Sequence, residues 1–245
     1  MNVVILGSTK GIGRAVAREL AVRGDRLFLL GRTTVDLERS AADLDVRAGK
    51  DVVAGSAICD LARPETFAPA LAEAATALGR IETVIVTAAD FATQVALEGD
   101  IERTRTLLTL NFAHTIVFCE QARGHLMERG GTLCVVSSVA GDRGRKPVIL
   151  YGASKAGLSR YLEGLDHKYR AAGLMVVCVK PGFVKTGMTA GLKPPPFAGE
   201  PQQVARDIVR GIDRGTAVVY TPGIWRLVML VIRSLPRFVM RRIGF

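Results

Sequence analysis

The 245-residue sequence predicts an α/β chain: a doubly wound parallel sheet of about seven strands with helices on both faces, in a single domain. Three observations predict it. Apolar strand-like runs alternate with segments of helical periodicity along most of the chain. One run, Ile81–Ala88, is apolar and β-branched, as a strand buried on both faces should be. The first run passes through a glycine-rich turn straight into the first helical segment.

The elements follow in order. Val3–Leu6 is a short apolar strand, and Gly11–Arg23 has helical spacing. Arg26–Leu30 predicts the second strand and Thr34–Ala48 the second helix. Val52–Cys59 predicts a third strand, and Pro64–Leu78 an Ala-rich helix with proline near its start. After Ile81–Ala88, one long helix is expected over Ile101–Arg129, ended by Gly130–Gly131. Then come strand Thr132–Ser137, helix Tyr151–Ala172, strand Leu174–Val179, helix Pro201–Arg214 and strand Ala217–Tyr220. The Lys193–Pro196 stretch, KPPP, marks an extended loop within the domain. The expected organisation is a catalytic domain over residues 1–222 and an apolar, basic tail over 223–245.

Composition is that of an ordinary globular chain, 49% hydrophobic and 23% charged, and long enough to bury a core without staples. The four cysteines, Cys59, Cys119, Cys134 and Cys178, show no CxxC spacing and read as reduced core residues. His114, His125 and His167 are scattered, so no metal site is expected. MNVVILG already reads as a buried strand with no charged region before it, which predicts a cytoplasmic protein. The net charge of +10 suits an anionic ligand or membrane surface; without a recognition motif and with few aromatics, nucleic acid is not expected.

The turn GSTKGIG comprises Gly7, Ser8, Thr9, Lys10, Gly11, Ile12 and Gly13. Glycine lets the backbone turn tightly and approach a phosphate, and the helix start offers free N–H groups at its positive end. Between a first strand and a first helix, this is the setting of a Rossmann-type dinucleotide site. The second strand ends in Gly31 and Arg32 where an NAD site usually carries an acid. Arg32, with Lys10, could pair with a 2′-phosphate, so NADP(H) is the expected cofactor.

Tyr151 and Lys155 are four residues apart, so a helix projects both from one face. A tyrosine of ordinary pKa, about 10, is a poor proton-transfer group at neutral pH. A nearby ammonium stabilises the phenolate, and Tyr151 can then exchange a proton with a carbonyl oxygen. Ser138, 13 residues earlier, would hydrogen-bond the same oxygen; its neighbour Ser137 is the competing serine.

GSTKGIG, Asn111, Ser138, Tyr151-Gly-Ala-Ser-Lys155 and Pro181-Gly-Phe-Val-Lys-Thr186 together resemble the short-chain dehydrogenase/reductase family. The resemblance implies that Lys155 also holds the nicotinamide ribose and that Asn111 supports a water chain behind it. It implies an adenine contact at Asp60 and its neighbour Leu61. It also places Ala88, Pro181, Gly182, Val184 and Thr186 beside the cofactor. One position departs: where the family usually has Asn-Ala-Gly, this chain has Thr87-Ala88-Ala89, which puts the local hydrogen bonding in doubt. Members are commonly dimers or tetramers, so a homo-oligomer is expected.

Substrate signals are local. Arg143, Arg145 and Lys146 lie between Ser138 and Tyr151 against one acid, Asp142, and suit an anionic substrate or a solvated loop. Met188 lies in a following loop that could line an apolar pocket. The tail WRLVMLVIRSLPRFVMRRIGF has no acid and is too short in its apolar run to span a membrane. As one continuous helix it would gather Arg226, Arg233, Arg237 and Arg241 within about 80° of arc, although Pro236 should kink it. That composition suits a membrane interface, or packing on the domain or another subunit.

SSVAG with its basic run, YGASKAGL, KPGFVKTGMTAGLK and the tail are also similar to the family's decaprenylphosphoryl-2-keto-erythro-pentose reductase-like members. This implies a lipid-linked, anionic carbonyl substrate met at the inner face of the membrane. The sequence leaves open a soluble or 3-oxoacyl carbonyl substrate, and a non-catalytic NADPH-binding subunit.

Overall fold

The protein was analysed as a computed structural model, which describes residues 1–244. Its strands are β1 (Asn2–Leu6), β2 (Arg26–Gly31), β3 (Val53–Ile58), β4 (Thr83–Val86), β5 (Gly131–Val136), β6 (Leu174–Pro181) and β7 (Val218–Thr221). They form one seven-stranded sheet in the order β3-β2-β1-β4-β5-β6-β7, parallel throughout. The order reverses between β1 and β4, and the crevice at such a reversal is where ligands bind in open α/β sheets.

Side chains along a strand alternate between faces, and both faces here are apolar. Val4, Leu6, Val84, Val86, Leu133 and Val135 join one core with Phe67, Leu71, Phe118 and Leu162. These partners come from α3 (Phe67–Leu78), α6 (Thr115–Met127) and α7 (Ile149–Tyr169). Val3, Ile5, Ile85, Cys134, Val177 and Val179 join a second core with Val16, Leu20, Leu37 and Ile208. Those partners come from α1 (Gly11–Arg23), α2 (Thr34–Ala48) and α8 (Pro201–Asp213). All four cysteines are buried and free, and burial pushes the Cys59 thiol up to about 12.

The expected long helix runs without a break from Ile101 to Met127, with a π-helical turn in its middle and a separate short helix before it. A short α4 (Gln94–Glu98) comes first, with Thr93 Oγ1 accepting from the Ala96 N–H at 3.3 Å. Next is α5 (Ile101–Leu108), capped by Asp100, and then a π-helical segment, Thr109–His114, before α6. The widened turn is a local feature that apolar periodicity does not register. Only Pro64–Thr66, a 3-10 turn, precedes α3, where a helix from Pro64 was expected.

The tail forms two helices, α9 (Ile224–Ser234) and α10 (Arg237–Arg242), broken at Leu235–Pro236. Proline cannot donate to a continuing helix, so the arginine stripe divides with it. Trp225, Met229 and Ile232 are buried and cluster with Val139, so α9 has one face on the domain. None of the helices among the described residues is long and apolar enough to cross a membrane.

Candidate active site

The glycine turn leaves β1 with Gly7 at φ 94° and Gly11 at φ 53°, backbone that side-chain-bearing residues rarely adopt. The space is equally restrictive. A Cβ on Gly7 would lie 2.7 Å from the Ala88 nitrogen, and one on Gly13 2.1 Å from the Gly7 carbonyl oxygen. Thr87 Oγ1 is placed to donate to the carbonyls of Leu6 at 3.2 Å and Gly7 at 3.1 Å. The threonine standing in the departed motif thus clamps the turn between β1 and β4. No feature of the sequence signals that role.

The turn fits a dinucleotide on its own chemistry. The α1 N-terminus has no side-chain cap, so its first N–H groups remain available for a pyrophosphate. Ser8 Oγ is buried beside them without a hydrogen-bond partner, a costly arrangement unless a ligand supplies one. Lys10 pairs with Asp36 at 3.4 Å, and Asp36 is held below the usual carboxylate range by a Thr33 hydrogen bond and by Lys10. Arg32 stands exposed at the end of β2. Beyond β3, Asp60 Oδ1 accepts from the Ala62 N–H at 3.0 Å, and the Asp60 N–H donates to Thr66 Oγ1 at 3.1 Å. The next carbonyl, Leu61, lies 2.5 Å from His114 Nδ1, which ties this loop to the π-helical segment.

At the C-terminal end of β5 the two serines part. Ser137 Oγ is buried, 2.8 Å from Ser159 Oγ and donating to the Lys155 carbonyl at 3.0 Å, so it is spent on the helix. Ser138 lies close enough to the Tyr151 hydroxyl to lower its pKa. Ser138 Oγ accepts from the Ala140 N–H at 3.1 Å, which fixes its rotamer. One turn along α7 from Tyr151, Lys155 Nζ donates to the Val136 carbonyl at 3.1 Å and sits 5.8 Å from the Tyr151 ring centroid. Lys155 is only 2% exposed, and burial brings its pKa down to about 8. Burial pushes Tyr151 up to about 12, with Ser138 acting in the opposite direction. At neutral pH the site therefore pairs a neutral phenol with a protonated lysine.

Asn111 is fully buried in the π-helical segment. Its Nδ2 donates to the Asp90 carbonyl at 2.7 Å, and its Oδ1 accepts from the Asp90 N–H at 2.7 Å. Both ends of its amide are thus committed to one backbone position beyond β4.

The basic loop and the tail prove to be one structure. Asp142 is clamped by Lys180 Nζ at 2.6 Å and by the Tyr220 hydroxyl at 2.7 Å. Arg143 Nη2 donates to the Leu235 carbonyl at 2.7 Å, and Lys146 Nζ to the Arg241 carbonyl at 2.7 Å. Two of the three cations read as facing substrate or solvent, Arg143 and Lys146, therefore cap the open C-terminal ends of α9 and α10, where cations are favoured. Arg145 is partly buried, which lowers its pKa, opposed by the charge of Asp142. Trp225 Nε1 donates to the Phe197 carbonyl at 3.2 Å, and its indole covers Gly182, where a Cβ would lie 2.0 Å from Nε1. Further along the same loop, the bridge Val184–Gly199 closes the segment that exposes Met188. Thr186 touches the glycine turn, its Cβ 3.6 Å from where a Gly11 Cβ would stand. Among the described residues there is no cluster of three potential metal ligands.

Comparison with known proteins matches this architecture. Residues 1–196 match the short chain dehydrogenase family. An uncharacterised oxidoreductase of Mycobacterium tuberculosis is 31% identical, over 98% of this chain and 96% of its own. Carbonyl reductase family member 4 of Xenopus tropicalis is 29% identical over 84% and 88%. Among solved structures, the actinorhodin polyketide ketoreductase with NADPH superposes with a TM-score of 0.79 at 22% identity, over 89% of this chain and 95% of that one. The chain belongs to the short-chain dehydrogenase/reductase family, and is an oxidoreductase of carbonyl or hydroxyl groups.

Proposed function

We propose that the protein is an NADPH-dependent ketoreductase in which Tyr151 is the general acid. The grouping of Ser138 with the Tyr151 hydroxyl, and of the buried Lys155 Nζ 5.8 Å from the Tyr151 ring, carries this reading. A ketone oxygen placed between the two hydroxyls accepts a hydrogen bond from each. The glycine turn would hold the pyrophosphate of a nicotinamide cofactor, whose chemistry when bound would be hydride donation to the carbonyl carbon. Tyr151 passes its proton to the oxygen as negative charge builds there, and Ser138 stabilises that charge. The Lys155 cation lowers the cost of the phenolate that remains. Asn111 keeps the backbone behind this group in place. Ser138→Ala should lower kcat by roughly 10²-fold, the usual cost of one lost oxyanion donor. Unchanged kcat would remove Ser138 from the mechanism.

For the cofactor, Arg32 is the proposed 2′-phosphate partner, with Lys10 released from Asp36 to join it. Asp60, Leu61, Ala88 and the Pro181–Thr186 loop complete the proposed binding surface.

The proposed substrate is a lipid-linked carbonyl compound, as in the polyprenyl-phosphate keto-sugar reductases the sequence resembles. The supporting observation is the outer face of the tail. Leu227, Leu230, Val231 and Phe238 are 61%, 63%, 63% and 62% exposed, beside exposed Arg226, Arg233 and Arg237. An apolar face edged by arginines suits the inner, anionic leaflet, so the protein is proposed to act there as a peripheral protein. Flotation with phosphatidylglycerol vesicles tests it. Leu227→Ser/Leu230→Ser should abolish salt-sensitive binding, whereas a concentration-dependent change in oligomeric state with no flotation would assign the face to a second subunit. The second reading, a soluble or 3-oxoacyl carbonyl substrate, is favoured by the likeness to carbonyl reductase family member 4.

A further inference from the structure

The segment after β4, Asp90–Gln94, touches two of the four candidate catalytic side chains, Asn111 and Tyr151. Asp90 holds the Asn111 amide through its backbone N–H and carbonyl, each at 2.7 Å. The Phe91 ring stands edge-on against Tyr151, with centroids 5.2 Å apart and planes at 81°. Gln94 Oε1 accepts from the Leu150 N–H at 3.1 Å, one residue before Tyr151 in the first turn of α7.

The segment is fixed in turn by one ion pair. Asp90 Oδ1 accepts from the Phe91 N–H at 2.9 Å and from Arg103 Nη2 at 2.8 Å, while Arg103 Nη1 bonds Asp90 Oδ2. Arg103 lies on α5, which runs directly into the π-helical segment that carries Asn111. Its backbone is anchored too, because the Arg103 N–H donates to Asp100 Oδ1 at 2.9 Å. Asp90 holds Arg103 above the usual guanidinium range by that same hydrogen bonding.

We propose that Asp90 and Arg103 are positioning residues for proton transfer at Tyr151. Their two-pronged pair fixes the segment that grips Asn111 by its backbone and Tyr151 by the edge of Phe91. The proposal rests on Tyr151 being the proton donor. Neither residue touches the reacting atoms, and a partly exposed ion pair adds little to stability. Its fork geometry instead fixes orientation, and small displacements of a reacting group are expensive in rate. Removing the fork should therefore separate rate from stability.

The test uses the full chain carrying Arg103→Met, Arg103→Lys or Asp90→Asn. Exchange of the Asp90 backbone amide is followed by NMR without cofactor. Reduction of acetoacetyl-CoA with NADPH is followed in parallel, with Tyr151→Phe as control. For Arg103→Met, exchange should be about tenfold faster and kcat about 10- to 100-fold lower, with the KM for NADPH within about twofold. Tm should move by no more than about 4 °C, and Arg103→Lys should recover part of both effects. Wild-type exchange, or faster exchange with unchanged kcat, overturns the proposal. Should Arg103→Met not fold, wild-type exchange and kcat in Asp90→Asn would overturn it. If wild-type protein fails to reduce the probe, or Tyr151→Phe retains turnover, the reading of function fails on this probe, and the exchange rates still decide whether the pair pins the segment.

Discussion

Arg143 and Leu235 are 92 residues apart in sequence, yet the Arg143 guanidinium donates to the Leu235 carbonyl at 2.7 Å. The loop that follows Ser138 is therefore held by the tail. Trp225 holds the opposite wall, covering Gly182 and donating to the Phe197 carbonyl. The tail has an inner face built into the rim of the site and an outer face left apolar. Truncation would damage both at once, so only point changes separate them.

Trp225→Ala should be strongly destabilising, because it removes a buried ring from the cluster of Val139, Met229 and Ile232. The expected cost is roughly 3–5 kcal/mol, with reduced turnover in the protein that stays folded. Denaturant unfolding with parallel kinetics measures both. A loss under about 1 kcal/mol would show that the inner face is not an integral part of the domain.

Leu227→Ser/Leu230→Ser should leave turnover of a water-soluble ketone within about twofold while removing vesicle binding, since surface changes away from a site cost little. Loss of soluble-ketone turnover in a folded variant would assign the outer face to the active site itself.

Arg32→Ala should weaken NADPH and leave NADH untouched. A charge-assisted hydrogen bond is worth about 1.5–3 kcal/mol, so the Kd for NADPH should rise roughly 10- to 100-fold. Fluorescence titration with each cofactor decides it; an equal loss for both would place Arg32 away from the 2′-phosphate.

Lys155 links the site to stability. Its folded pKa of about 8 lies below the ordinary 10.5, so between those values the unfolded chain binds more protons. Stability from this group is complete above pH 10.5 and lost as pH falls to about 8. The loss amounts to about 3 kcal/mol. Lys155→Met should therefore raise Tm at pH 7 while destroying turnover, and the gain should shrink by pH 10. Thermal melts across that range test it. An equal Tm difference at both pH values would mean that the lysine is not buried as a cation.

Much of this was legible because physical necessity leaves a pattern. Strands buried on both faces read as short apolar runs, as at Val84, Ile85 and Val86, and Tyr151 and Lys155 share a helix face by spacing alone. The other half of the site lies in backbone contacts, which side-chain identity does not encode. Thr87 clamps the Gly7 carbonyl, Asp90 meets Asn111 through its main chain, and Arg143 and Lys146 end on helix carbonyls. The tail was ambiguous for a related reason: a helix apolar on two sides has the same composition whichever side meets protein. Pro236 correctly marked the break between α9 and α10, since its ring constrains chain direction whatever packs around it.

The most direct test is NADPH oxidation by the Tyr151→Phe variant with a ketone that the wild-type protein reduces, beside NADPH binding to the same variant. Phenylalanine keeps the ring against Phe91 and removes only the proton donor. Turnover should fall by about 10²- to 10⁴-fold with NADPH affinity within about threefold of wild type. Near-wild-type turnover would contradict the assignment of Tyr151 as the general acid.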